Sequence, residues 1–258
     1  MSIGAPEPVR HVHQATVGST NAVALDLACD VPANETLWIT ADEQTAGRGR
    51  RGRAWTSFPG NLYATMVVRR SEPAHPTLPL AAALCLRDAL LDLVPGAERT
   101  IGLKWPNDLL WNDRKFAGIL VEVRALADGY AIAVGFGVNL AGFPPELTDV
   151  ATSLRDEGVV LPSRELFDAL ASRWRTEGEP ACSGTGTADV RRRWLDHARG
   201  VGKPIVVRLP TSELRGTFER MDETGRLILL KDDGSREAIA AGDVFLRSQP
   251  EVRQQDHE

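Results

Sequence analysis

The sequence predicts an α+β fold followed by a small all-β unit, and three observations carry that expectation. Residues 76–94 have helical apolar spacing, ended by the breaker pair Pro95-Gly96. Two β-type runs, GILVEVRAL and YAIAVGFGVNL, flank Asp128-Gly129, a dipeptide that tolerates positive φ and suits a tight hairpin, so long helices stand among hairpins. From Gly202 onward, KPIVVRLP, ELRGTFERM, GRLILLK, REAIA and VFLRS are short β-type runs divided by turn residues, the pattern of a small barrel or sandwich.

Ser19-Thr20-Asn21 ahead of AVALDLAC reads as a helix start, with a short polar side chain accepting from the free N–H groups of the first turn and the helix running to Cys29. LWITADEQ (37–44) and NLYATMVV (61–68) are rich in β-branched and aromatic residues, so both read as strands. The segment AGRGRRGRAW between them, residues 46–55, is then a loop joining neighbouring core elements. Residues 118–140 form the hairpin, and Ser163 caps a helix through Trp174. GEPACSGTGTADV, residues 178–190, is polar and glycine-rich and is expected as a loop or partly disordered segment. A last helix covers residues 188–199, and a boundary near Arg199 divides residues 1–200 from the β unit at 201–250 and a tail at 251–258.

With 258 residues, 43% of them hydrophobic, the chain can bury a sizeable core. A net charge of −5 argues against a surface built throughout for nucleic acid or an anionic membrane, so any anion site must be local. The longest apolar run, residues 78–86, is far short of the roughly 20 residues a bilayer needs. MSIGAPEPVRHVHQ lacks the apolar stretch of a signal peptide, and three widely spaced cysteines without a CxxC favour a reducing cytoplasm and no structural zinc. Cys29 and Cys85 are expected as buried helix residues, and the scattered histidines offer no Ser-His-Asp or Cys-His set.

The arginine–glycine loop admits three readings: a solvated basic turn, a single-strand nucleic-acid binder, or a clamp in which glycines admit the ligand to the backbone while guanidinium groups pair with its oxygens. Only one short copy is present, between strands, in an acidic protein, which suits the clamp. In Lys104-Trp105-Pro106-Asn107-Asp108 the proline stops a strand and presents Asn107 and Asp108 at its end, unless this is an ordinary Asx turn. Lys115, in RKFAG, precedes the hairpin. GFGVN has leucine at position 140 where a dinucleotide fingerprint needs its third glycine, so Gly135 and Gly137 read instead as sites of close approach by a ligand or another backbone. No GxxxxGK[ST] is present, which excludes a P-loop enzyme at motif level.

Ser19-Thr20-Asn21, Gln44 with GRGRRGRAW, KWPNDLL, RKFAGILVEV and GFGVNL together resemble, in order and spacing, the biotin protein ligases, or biotin–[acetyl-CoA-carboxylase] ligases. The likeness is close over residues 16–140 and looser over the C-terminal β unit. It implies a mixed, mainly antiparallel sheet with flanking helices, of class II synthetase type, followed by an SH3-like β-barrel. It also implies ATP-dependent biotinylation of a lysine on a biotin carboxyl carrier protein through biotinyl-5'-AMP, with Mg2+ as cofactor. By the resemblance, Ser19, Thr20, Asn21 and Gln44 face biotin, and Arg48, Gly49 and Arg50 clamp biotin and phosphate. Lys115 binds the biotin carboxylate and the α-phosphate, making it, with Arg48 and Arg50, the catalytic set. Trp55, Asp108 and Asn139 complete the adenylate pocket. Metal ligands are not assigned.

The chemistry agrees with these residue types, because joining a carboxylate to the α-phosphate brings two anions together and the mixed anhydride must be kept from water. The Ser-Thr-Asn motif begins at residue 19, which leads to the expectation of a monofunctional ligase without a DNA-binding domain. The nearest rival is a lipoate ligase or octanoyltransferase, which would need a longer apolar tunnel; the rival of another class is a nucleic-acid binder, with affinity that falls steeply with salt.

Overall fold

Two sheets organise the chain in the computed structural model, which describes residues 10–33 and 35–246. The larger has seven strands: β1 (Arg10–Val17), β2 (Thr36–Gln44), β3 (Leu62–Arg70), β4 (Ile101–Lys104), β5 (Asp108–Trp111), β6 (Arg114–Leu126) and β7 (Gly129–Val138). Their order is β1-β2-β3-β7-β6-β5-β4, with β1 parallel to β2 and every other pair antiparallel, so the sheet is mixed and mainly antiparallel. The β6–β7 hairpin forms as the sequence predicts, with its turn at Ala127-Asp128, one residue earlier, and Gly129 opening β7; β6 starts at Arg114. β1 had no signature in the sequence, because RHVHQATV is an edge strand whose side chains are largely exposed.

Helices cover both faces. Leu62, Ala64, Met66 and Val68 of β3 point into the main core, whereas Val67 points to a smaller one beneath α1 (Thr20–Leu27), the period-two alternation of a strand. In the smaller core Ala24 and Leu25 of α1 meet Leu37, Ile39 and Ala133. Cys29, expected to be buried, is exposed on the 3₁₀ turn that ends α1, because that turn points it away from the sheet; Cys85 is buried as expected. On the other face lies α2 (Leu78–Leu93), buried along most of its length, with α3 (Ser163–Arg173) packed against it.

Residues 178–190 are folded, which overturns the expected loop. A π-helical turn, Trp174–Gly178, leads into α4 (Glu179–Cys182), and α5 (Thr187–Asp196) follows after Gly186. Three of the few apolar residues of this segment, Ala181, Cys182 and Val190, are buried in the core. Gly178 is required for packing: a Cβ there would enter the Trp174 ring.

The second sheet holds β8 (Pro204–Arg208), β9 (Glu213–Met221), β10 (Leu227–Leu230), β11 (Arg236–Ile239) and β12 (Asp243–Leu246), in the order β11-β10-β9-β8-β12. All five strands were legible, and their order is that of the small SH3-like β unit the resemblance implies; β11 and β12 do not pair among the described residues. Ile205, Val207, Phe218 and Leu229 join the same core as α2, and Trp105 donates from Nε1 to the Gly225 carbonyl at 3.0 Å across the junction. The proposed tail, 251–258, lies outside the described residues. Among those described, no helix is long and apolar enough to cross a membrane.

Candidate active site

The β4–β5 hairpin sets the charged centre. Its turn, Trp105-Pro106-Asn107, places Lys104 directly opposite Asp108. On the other side of β5 the register with β6 shifts between Leu109 and Leu110, leaving one extra residue on β6, a bulge of the kind that re-aims a side chain. Lys115 sits beside this bulge, its backbone fixed by N–H donation to Val150 at 2.8 Å and by the Thr152 N–H at 2.9 Å. Its Nζ lies 2.7 Å from Asp108 Oδ1, and Lys104 Nζ lies 3.6 Å from Oδ2. Burial alone would raise the Asp108 carboxyl, but Lys115, Lys104 and, more distantly, Arg50 outweigh it and hold the group below the ordinary carboxylate range. Burial depresses Lys104, only partly countered by Asp108.

The arginine–glycine loop closes over this centre as a short reversal, with Trp55 N–H donating to Gly47 at 2.9 Å and Gly49 N–H to Arg53 at 2.7 Å. Its arginines are moored to two sheets. Arg48 Nη2 lies 3.3 Å from Glu122 Oε1 of β6. Arg50 donates to Asn107 Oδ1 at 2.9 Å and to the Gly242 carbonyl at 3.3 Å. Arg51 reaches Asp243 at 3.1 Å, and Arg53 pairs with the same carboxylate. The tip of the loop thus rests on the start of β12.

Trp55 lies on a shelf formed by Gly118 and Gly137, where any Cβ would crowd its ring, and Lys115 Nζ is 5.4 Å from the ring centre. Asn21 is seated the same way against Gly135. The close approach expected at the two glycines of β7 is therefore made by side chains.

Beside this shelf, the start of α1 is capped by a residue distant in sequence. Ser19 occupies the N-cap position without a side-chain cap bond, contrary to expectation. Instead Gln44 Oε1 accepts from Thr20 N–H at 2.9 Å and from Thr20 Oγ1 at 3.1 Å. Thr65 Oγ1 lies 2.8 Å from Thr20 Oγ1 and 2.7 Å from Asn21 Oδ1, and Asn21 Nδ2 donates to Glu122 Oε2 at 2.7 Å. A continuous polar chain runs from Gln44 through Thr20, Thr65, Asn21 and Glu122 to Arg48.

Between these groups is a cavity of about 380 Å³. All eleven residues singled out in the sequence line it: Ser19, Thr20, Asn21 and Gln44 at one end, Arg48, Gly49, Arg50 and Trp55 along the loop, and Asp108, Lys115 and Asn139 at the sheet. Asn139 is held by donation of Nδ2 to the Thr152 carbonyl at 3.2 Å. Lys104, Gly242 and Asp243 also line it and were not singled out, nor was Glu122 behind the loop. Glu122 had no signal, being one polar residue on an alternating strand, and Gly242 and Asp243 lie in a different sheet. Lys104, in the same motif as Asp108, could have been found from its two-residue approach to the turn. No group of three histidines, cysteines or carboxylates able to hold a metal occurs among the described residues.

The chain resembles known proteins along most of its length. Residues 16–139 match the biotin/lipoate A/B protein ligase family, and residues 200–247 match the biotin protein ligase C-terminal domain. The biotin–[acetyl-CoA-carboxylase] ligase of Paracoccus denitrificans is 40% identical over 243 residues, covering 90% of this chain and 98% of the relative. The biotin protein ligase from Aquifex aeolicus, solved in complex with biotin and ATP, superposes with a TM-score of 0.77 at 25% identity, over 92% of this chain and 98% of that one. The Leishmania major enzyme in complex with biotinyl-5-AMP superposes with a TM-score of 0.64 at 28% identity, over 91% of this chain and 100% of that one. With a curated relative this similar along its whole length, the chain belongs to the biotin/lipoate A/B protein ligase family, among the biotin protein ligases.

Proposed function

We propose that this enzyme couples biotin to ATP and passes the biotinyl group to a lysine of a biotin carboxyl carrier protein or domain. The observation that carries the reading is the meeting of Lys115, Arg48 and Arg50 with the polar start of α1 in one cavity. Thr20, Asn21 and Gln44, with Ser19 beside them, offer donors and acceptors suited to the ureido ring. Lys115 lies where a carboxylate and an α-phosphate can share one ammonium, and the loop guanidinium groups of Arg48 and Arg50, with the Gly49 backbone, pair with phosphate oxygens. Trp55, Asp108 and Asn139 wall the nucleotide side. In the first step a biotin carboxylate oxygen bonds to the α-phosphorus and pyrophosphate leaves. In the second the carrier amine bonds to the acyl carbon, AMP leaves and the amine loses a proton. No enzyme nucleophile is consumed in either step, and the loop keeps water from the anhydride between them.

Bound Mg2+ would neutralise charge on the nucleotide phosphates. Asp108, a carboxylate at the cavity's centre, is already paired with two lysines, which fits a metal carried by the phosphates better than a dedicated protein cage. Residues 1–200 hold the substrates on this reading, and residues 201–250 support the loop through Gly242 and Asp243. The three cysteines, none in a disulfide, suit the cytoplasm.

Biotin-dependent exchange of labelled pyrophosphate into ATP, run beside lipoate and octanoate with Mg2+, tests the reading. Exchange with biotin alone is expected; exchange with lipoate or octanoate would move the enzyme to the lipoyl branch, and none with any acid would reopen the nucleic-acid reading. In the same assay Gly135→Ala is expected to raise the KM for biotin about 10- to 100-fold at little cost in kcat, since the new methyl group displaces Asn21 and leaves buried polar groups unpaired.

A further inference from the structure

We infer that Lys104 is a positioning residue for adenylation: from β4 it holds the buried Asp108 carboxylate in place, and Asp108 in turn aims the Lys115 ammonium into the cavity. This rests on the adenylation reading above. Asp108 stands between two ammonium groups, Lys115 Nζ at 2.7 Å from one oxygen and Lys104 Nζ at 3.6 Å from the other. The two lysines are placed differently. Lys115 is 32% exposed along its side chain and projects beside Trp55, where an anion can reach it. Lys104 is 16% exposed and sits directly across the β4–β5 ladder from Asp108, so its position is set by backbone pairing.

The consequence lies in what happens when a substrate arrives. A carboxylate and a phosphate entering the cavity draw Lys115 toward them, and the pairing with Asp108 weakens at the moment of reaction. A buried carboxylate that loses its only cation takes up a proton or pulls the lysine back, and either outcome misplaces the ammonium. Lys104 prevents both by remaining on Oδ2. The other charged groups facing this centre do not replace it: Arg50 comes from the loop and is engaged with Asn107 and Gly242, and Asp243 of β12 is anionic and engaged with Arg51 and Arg53. The carboxyl of Asp108 is held below its ordinary range with both lysines present. Removing the Lys104 cation takes away one of the two nearest groups opposing burial, so the folded-state value rises and the ionised centre is lost at a higher pH than in the wild type.

The test compares wild type with Lys104→Met, Lys104→Gln and Lys104→Arg in biotin-dependent pyrophosphate exchange across pH. In the two neutral variants the acid limb of kcat is expected to move up by about 1 to 3 pH units while the KM for ATP stays unchanged, and Lys104→Arg is expected to restore the wild-type limb. A raised KM for ATP with an unmoved limb would make Lys104 a direct phosphate ligand and overturn the inference. A uniform loss at every pH, or wild-type kinetics, would overturn it as well. A pH titration of the Asp108 carboxyl carbon by NMR needs no substrate, and the same upward displacement is expected in both neutral variants; absence of exchange in the wild type would therefore sink the adenylation reading while this titration still decides the role of Lys104.

Discussion

Lys115→Ala is expected to lower kcat for biotin-dependent pyrophosphate exchange by about 30- to 1000-fold, the ~2–4 kcal/mol typical of losing one preorganised group aimed at developing charge. The transition state gathers the carboxylate and the pentacovalent phosphorus at one point, and Lys115 is the cation whose backbone is fixed on both sides, by Val150 and Thr152, while its ammonium reaches the cavity. Arg48 and Arg50 are carried on the loop between β2 and β3 and are tied through their side chains to Glu122, Asn107 and Gly242. The effect belongs in kcat more than in KM, because a group that strengthens its contact only as charge builds contributes little to ground-state binding. A loss confined to the KM for biotin would reduce Lys115 to a binding residue. Rapid-quench measurement of biotinyl-AMP formation in single turnover separates the two.

Trp174→Ala is expected to destabilise the fold by about 3–5 kcal/mol, the range for deleting a fully buried indole. Trp174 is inaccessible to solvent and stands edge-on to Trp38 and Phe136, at centroid distances of 6.2 and 5.8 Å. It therefore joins the π turn to β2 and β7, and β7 carries Gly137 under Trp55 and Gly135 under Asn21. Its Nε1 is buried without a hydrogen-bond partner among the described residues, so Trp174→Phe forfeits no such bond and should cost much less than the alanine variant. Urea unfolding followed by circular dichroism measures both. Equal midpoints for the phenylalanine and alanine variants would show that ring packing does not hold this segment.

The residues that line the candidate cavity were more legible in the sequence than the fold around them. Ser19-Thr20-Asn21, the arginine–glycine loop, KWPND and RKFAG are each a short run in which backbone geometry and chemistry demand unusual residues, and they remain visible wherever the chain takes them. β1 was invisible because half of its surface faces water and its pairing with β2 is through the backbone, which leaves no hydrophobic alternation to read. Residues 178–190 misled for the opposite reason: their glycines suggest a loop, yet Gly178 is there because the Trp174 ring lies against it. The capping of α1 by Gln44 rather than Ser19, and the mooring of Arg51 and Arg53 on Asp243, depend on partners brought together by tertiary folding, which no local pattern announces. The open edge between β11 and β12 is likewise a property of register and curvature rather than of composition.

The unbroken core has a thermodynamic meaning. Side chains from α2, from β3 and from β8 to β10 lie in one continuous cluster, and the Trp105 indole is tied to Gly225 across the seam. Exposing the apolar face of the second sheet would expose that of the first, which couples the stability of one to the other. The fifty or so residues after Arg199 are therefore expected to melt together with the seven-stranded sheet in one transition.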